Sequence, residues 1–92
     1  MIDLTIPQFA LGRIGITIGV IQIATPPEIE NILKRHCECD WGDLDEEDKE
    51  RNNIALIEGE RLVSAYHVSG EKIYITTEAN RSLTLIQLAE EY

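Results

Sequence analysis

The stretch Arg61-Leu62-Val63-Ser64-Ala65-Tyr66-His67-Val68-Ser69-Gly70-Glu71-Lys72-Ile73-Tyr74-Ile75-Thr76-Thr77-Glu78 decides the fold. Its residues alternate with a period of two. Leu62, Ser64, Tyr66 and Val68 fall on one side, and Arg61, Val63, Ala65 and His67 on the other. After Ser69-Gly70-Glu71, Ile73, Ile75 and Thr77 oppose Tyr74 and Thr76. Successive side chains of a strand point to opposite faces, so this pattern around a Gly-containing turn predicts a β-hairpin. Ala79-Asn80-Arg81-Ser82 is a second turn signal, and residues 83–88 supply a third strand. The C-terminal part of the chain therefore reads as an antiparallel meander, closed by the short acidic tail Glu90-Glu91-Tyr92.

Upstream of the meander the period changes. In Thr25-Pro26-Pro27-Glu28, Thr25 can cap the amide of Glu28 while the Glu28 carboxylate reaches back. Pro26 at the first helical position has no donor to lose. Ile29, Ile32, Leu33 and His36 then share one helical face. His36, at the C-terminal end, is expected either as a half-buried ring or as a cation favoured by the helix dipole. A second helix follows the segment Cys39-Asp40-Trp41-Gly42-Asp43-Leu44-Asp45-Glu46-Glu47-Asp48-Lys49-Glu50. Trp41 and Leu44 are the apolar anchors there, Asp43 or Asp45 is the N-cap, and Gly59 ends the helix. Before the first helix, residues 2–6 read as a strand stopped by Pro7. Residues 12–17 and 20–24, rich in Ile, Val and Thr, read as two short strands with a turn or bulge near Gly19. Residues 1–92 thus form a single α+β domain, a two-layer sandwich with an antiparallel β-sheet and two helices on one face.

Seventeen Asp and Glu against eight Lys and Arg give a formal net charge of -9. Such a surface repels phosphates, which disfavours direct nucleic-acid and anionic-membrane binding. It suits a protein partner with a basic surface, or serves solubility alone. Cys37 and Cys39 are too close in sequence for an ordinary disulfide framework, which fits reduced thiols. No secretory leader is read at the N-terminus, and the apolar run 14–23 is too short to span a bilayer, so the expected location is cytoplasmic.

Chemistry is not spelled out. Gly12, Gly15 and Gly19 match neither a dinucleotide nor a P-loop fingerprint, and no cofactor is expected. His36, Cys37, Cys39 and Asp40 are metal-ligand types, but a single C-x-C without a second cluster leaves a zinc site incomplete, so none is assigned. Ser64, Ser69 and Ser82 lie outside any nucleophile elbow. A His36–cysteine thiolate pair is opposed by acidic surroundings, which raise a thiol pKa. Polar residues of the meander are expected in turn and cross-strand bonds, for instance Glu78 with Arg81. The functional alternative is a polar patch of His36, Arg61, Tyr66, Glu78 and Arg81.

The chain from Ala24 to Tyr92 resembles a family of small proteins carried on bacterial plasmids, phages and related elements. The likeness rests on Ala24-Thr25-Pro26, Arg35-His36, the run Asp40-Trp41-Gly42-Asp43-Leu44-Asp45-Glu46-Glu47-Asp48, Ser64-Ala65-Tyr66, Thr77-Glu78-Ala79 and Arg81-Ser82. Pro27 and Cys39 stand where such proteins look to carry Gly, and Asn80 where they look to carry Asp. The resemblance implies mobile-element cargo and no chemistry. More acids cluster here than one helix terminus can use. Together these suggest a non-enzymatic inhibitor of the anti-CRISPR or anti-restriction kind, occupying a basic nucleic-acid-binding surface of a host defence complex. Its contact residues would be Asp40, Trp41, Asp43, Asp45, Glu46, Glu47, Asp48 and Glu50. The alternative is a small self-associating regulatory or accessory domain, a homodimer, whose acidity serves solubility.

Overall fold

A computed structural model describes residues 8–92, and the strand expected over residues 2–6 lies outside them. The elements are β1 (Arg13–Ile16), α1 (Ile18–Ile23), α2 (Pro26–Cys37), α3 (Glu46–Glu58), β2 (Leu62–Val68), β3 (Glu71–Thr77) and β4 (Leu83–Leu88), with a final 3-10 turn at Ala89–Glu91. The fold is α+β. The four strands form one sheet in the order β1-β4-β3-β2, and the meander β2-β3-β4 is antiparallel as its alternation requires. The sheet is mixed rather than wholly antiparallel, because β1 joins β4 in parallel, Ile14 beside Thr84 and Ile16 beside Ile86.

Residues 18–23 are helical, not the second N-terminal strand that their β-branched side chains suggest. Two tertiary facts override that propensity. Thr17 accepts the Val20 amide and so starts a helix immediately after β1. The helix then drops Val20, fully buried, into the core, and a Cβ on Gly19 would stand 2.8 Å from the Leu88 side chain. The Thr25–Glu28 capping box opens α2 as read from the sequence.

The main core lies between α1, α2 and the sheet face carrying Tyr66, Val68, Ile73, Ile75, Ile86 and Leu88. Ile32 of α2 and Val20 of α1 are its helical contributions, with Ile29 and Leu33 packed at its margin. At about 25 cal/mol per Å² of apolar surface removed from water, this aliphatic cluster is the main stabilising term. α3 instead runs beside β2, where Trp41, Ala55 and Leu62 form a second, smaller cluster with Phe9, Leu44 and Leu56 around it. The C-terminal turn folds back toward β3. Tyr92 packs against Tyr74 at 4.8 Å between ring centroids, and its hydroxyl accepts a bond from Arg61.

Candidate functional site

The Asp-Trp-Gly segment and α3 together close the outer edge of β2. An edge strand leaves every second amide and carbonyl unpaired, and those of Val63 and Ala65 face outward here. The Ala65 amide donates to the Trp41 carbonyl at 3.2 Å, and the Asp43 amide donates to the Ala65 carbonyl at 2.7 Å. Nearly two turns into α3, the Asn52 side chain acts as a substitute peptide: its amide nitrogen donates to the Val63 carbonyl, and its oxygen accepts the Val63 amide. Gly42 is indispensable to this geometry. It sits at φ 74°, and a Cβ there would lie 1.9 Å from the Ala65 carbonyl oxygen.

Trp41 is the anchor of the segment. Its indole is 3% exposed, stacks beside Phe9 and donates to Asn53 of α3 at 3.0 Å. The ring therefore holds α3 in place and offers no face to a partner, which removes it from the contact residues expected from sequence. Asp40 is tied to Arg35 at 2.7 Å and accepts the Gly42 amide, and these contacts hold its carboxyl below the usual carboxylate range. Asp43 meets His67 at 2.6 Å. Asp45, rather than Asp43, caps α3 by accepting the Asp48 amide.

The outward carboxylates are those of the first two turns of α3. Glu46, Glu47 and Asp48 have side chains 94%, 75% and 47% exposed, and they share only Lys49 and Arg51 as cationic neighbours on the helix. Six carboxylates in residues 43–51 face two cations, so the face stays strongly negative after its internal pairs are made. Beside it, Asp48, Arg51, Tyr74 and Tyr92 line part of a cleft of about 320 Å³.

The polar patch expected on the open sheet face is not one site. His36 and Tyr66 point into the protein and are 0% and 1% exposed. Arg61 and Glu78 form a surface pair at 3.8 Å. Arg81 donates to the main-chain carbonyls of Glu60 and Glu78, not to the Glu78 carboxylate as the turn suggested. The Tyr66 hydroxyl donates to the Asp40 carbonyl at 2.6 Å, and burial pushes its pKa up.

His36 belongs to a buried relay whose proton positions follow from one end. The Leu11 carbonyl can only accept, so Thr84 donates to it at 2.7 Å. Thr84 has then spent its proton, and Thr77 must donate to Thr84 at 2.8 Å. Thr77 in turn must accept the Nε2 proton of His36 at 2.9 Å. The Nδ1 lone pair is left to accept the Ser64 hydroxyl at 2.5 Å. The relay fixes a proton on Nε2, and burial keeps Nδ1 bare, so that the ring is neutral near pH 7. Burial first, and the Arg81 charge second, lower its pKa to about 4. Of the two sequence expectations, the helix-terminal cation is overturned by that burial, and the half-buried ring is carried further, to a ring 0% exposed. Ser64 and His36 have the contact of a nucleophile and its base, yet both are 0% exposed and both ring nitrogens are occupied. No substrate atom can approach, and the relay acts as a hydrogen-bonded strut between α2, the sheet and the segment entering β1.

Cys37 and Cys39 are free thiols whose pKa values are raised, chiefly by burial. Among the described residues no three His, Cys, Asp or Glu side chains gather to hold a metal ion, and no helix is long and apolar enough to cross a membrane. Sequence reasoning missed Asn52, Thr77 and the role of Ser64. Asn52 carried a signal, a polar residue three and four positions before Ala55 and Leu56 and so on the side of the helix that faces the body. Comparison with protein-family models, with curated proteins and with solved structures gives no match to this chain.

Proposed function

We propose that the protein is a non-enzymatic, acidic interaction protein that occupies a basic, nucleic-acid-binding surface of another protein, as anti-CRISPR and anti-restriction inhibitors do. The observation that carries this reading is the mounting of the acidic helix. Glu46, Glu47 and Asp48 project from a helix whose base is fixed by Asn52 to Val63, by Asn53 to Trp41 and by the Asp45 cap. A carboxylate display held on a rigid edge loses little conformational freedom on docking, so its electrostatic attraction is retained as affinity and on-rate. Asp45 serves the helix; Glu46, Glu47, Asp48 and Glu50 are the residues that meet the partner, with Asp43 and Asp40 at the margin.

The test is capture of partners from a host lysate at low and moderate salt, read by mass spectrometry, with the chain and with the variant Glu46→Gln, Glu47→Gln, Asp48→Asn, Glu50→Gln. The chain is expected to retain a basic protein that releases as salt rises, because exposed charges more than about 10 Å apart are screened at 0.1 M. The variant keeps the cap and the edge bonds, and is expected to fold and to lose that partner. Retention of the same partner by the variant, with unchanged salt dependence, refutes the reading.

A further inference from the structure

The two edges of the sheet are treated differently. On β2 the outward amides and carbonyls are paired with Trp41, Asp43 and Asn52. On β1, the Arg13 amide donates inward to Ser82, and the amide of Thr17, just beyond the strand, donates inward to Ile86. By strand alternation the amides and carbonyls of Ile14 and Ile16 point away from β4, and no hydrogen bond to them is found from another element among the described residues. The side chains beside this edge are apolar and open: Ile14 is 47%, Ile16 38%, Ile18 73% and Ile21 58% exposed. They are also nearly uncharged. In a chain of net charge -9, residues 8–27 contain a single ionised side chain, Arg13, and no carboxylate.

We propose that β1 is a self-association edge, whose occupant is β1 of a second copy of this chain in antiparallel register about Gly15. Two facts select a second copy over another strand. The first is symmetry: with a two-fold axis at Gly15, each Ile14 lies opposite Ile16 of the other copy, and the pair exchanges both outward backbone hydrogen bonds. Gly15 meets its counterpart at the narrow pair position, where Cα atoms stand about 4.5 Å apart. The second is charge. Two copies of so acidic a protein repel wherever carboxylates approach. Residues 8–27 contribute none, and the carboxylate bonded at the end of this edge, Glu91 on the Thr17 hydroxyl, belongs to the position that falls opposite Arg13 of the other copy in this register. Pairing covers Ile14 and Ile16 with their symmetry mates, and Ile18 of each copy borders the junction. The edge is separated from the acidic helix by the width of the sheet, so the proposal stands independently of the function proposed for α3.

The experiment is the solution mass of the full chain by sedimentation and light scattering, over a range of protein and salt concentrations. The expected result is a mass of twice 10.4 kDa at high protein concentration. Salt should strengthen this association by screening the acids, the opposite of its effect on a basic partner. Ile14→Lys is expected to give the single-chain mass with an unchanged far-ultraviolet spectrum. Ile57→Lys, at an 86% exposed position on α3, is expected to leave the doubled mass intact. Gly15→Cys tests the register, since its new side chain meets only the movable Leu85 methyl at 3.2 Å. Mild oxidation should then yield a disulfide joining position 15 of two copies, found by peptide mapping. A single-chain mass at every concentration up to the millimolar range overturns the proposal. A doubled mass that survives Ile14→Lys, or that gives no link at position 15, also overturns it.

Discussion

Acidification tests the buried relay at His36. The imidazole titrates near 6.5 when unfolded, and burial lowers its pKa to about 4 in the fold. The native state therefore holds the neutral ring, and the unfolded state takes up the proton first. The sign follows: the contribution is fully present above pH 6.5, falls as pH drops through the window from 6.5 to about 4, and is gone below it. A difference of that size, at about 1.4 kcal/mol per pH unit, is roughly 3 kcal/mol. Carboxylates titrate over the lower part of the same range, so the assay is a difference between two profiles. Urea unfolding of the chain and of His36→Gln is measured from pH 7.5 to 4. The variant is less stable at neutral pH, and the gap is expected to narrow by roughly 3 kcal/mol on acidification, because only the histidine protein must expel a proton to fold. Ring nitrogen resonances provide the site-specific check: Nε2 protonated, Nδ1 bare, and no titration above pH 5. A His36 that titrates near 6.5, or that carries its proton on Nδ1, would refute both the burial argument and the proton order derived from Leu11.

The β2 edge yields sharper substitutions. Asn52→Leu should cost roughly 1–3 kcal/mol by leaving the Val63 amide and carbonyl without a side-chain partner, and should abolish hydrogen-exchange protection of the Val63 amide. Asn52→Asp keeps the acceptor but turns a carboxylate toward the carbonyl, so its stability should recover on acidification, where a protonated acid can donate again; a variant as stable as the parent at pH 7 would contradict the edge geometry. Gly42 and Gly59 both sit at positive φ, but only Gly42 has backbone where a Cβ would go. Gly59→Ala is expected to cost about 1 kcal/mol, the left-handed penalty alone, whereas Gly42→Ala should abolish cooperative unfolding; equal thermal shifts would sink the distinction. Cys37 and Cys39 should alkylate slowly at neutral pH in the native protein and rapidly in urea, since burial raises both thiol pKa values.

Much of the fold could be read from residues whose signal is local. The alternation through Arg61–Glu78, the Thr25–Glu28 capping box and the Gly59 stop each depend on a few neighbours, and each is where it was expected. Residues 18–23 misled because β-branched propensity is weaker than burial of Val20 against Leu88 and Ile86, a contact that joins opposite ends of the chain. The parallel pairing of β1 with β4 was hidden for the same reason: nothing in Arg13–Ile16 names its partner. At the candidate site, the acid run was visible and the anchoring by Trp41 and Leu44 followed from composition. The division of labour among the acids was not. Whether Asp43 or Asp45 caps α3, and that Asp40 is bound to Arg35, depends on where β2 passes the helix. That His36 is fully buried, beyond the half-buried ring or helix-terminal cation expected, was hidden because its two hydroxyl partners, Ser64 and Thr77, are distant in sequence and the second is itself bonded to Thr84.

The asparagine that mimics a peptide on β2 also sets a limit on growth. A sheet with two open margins can add strands without end, which is the route to fibres. Here one margin is terminated by a side chain and by a loop that cannot itself be extended. The sheet has a valence of one, so two copies joined through β1 leave only capped margins outside and stop there.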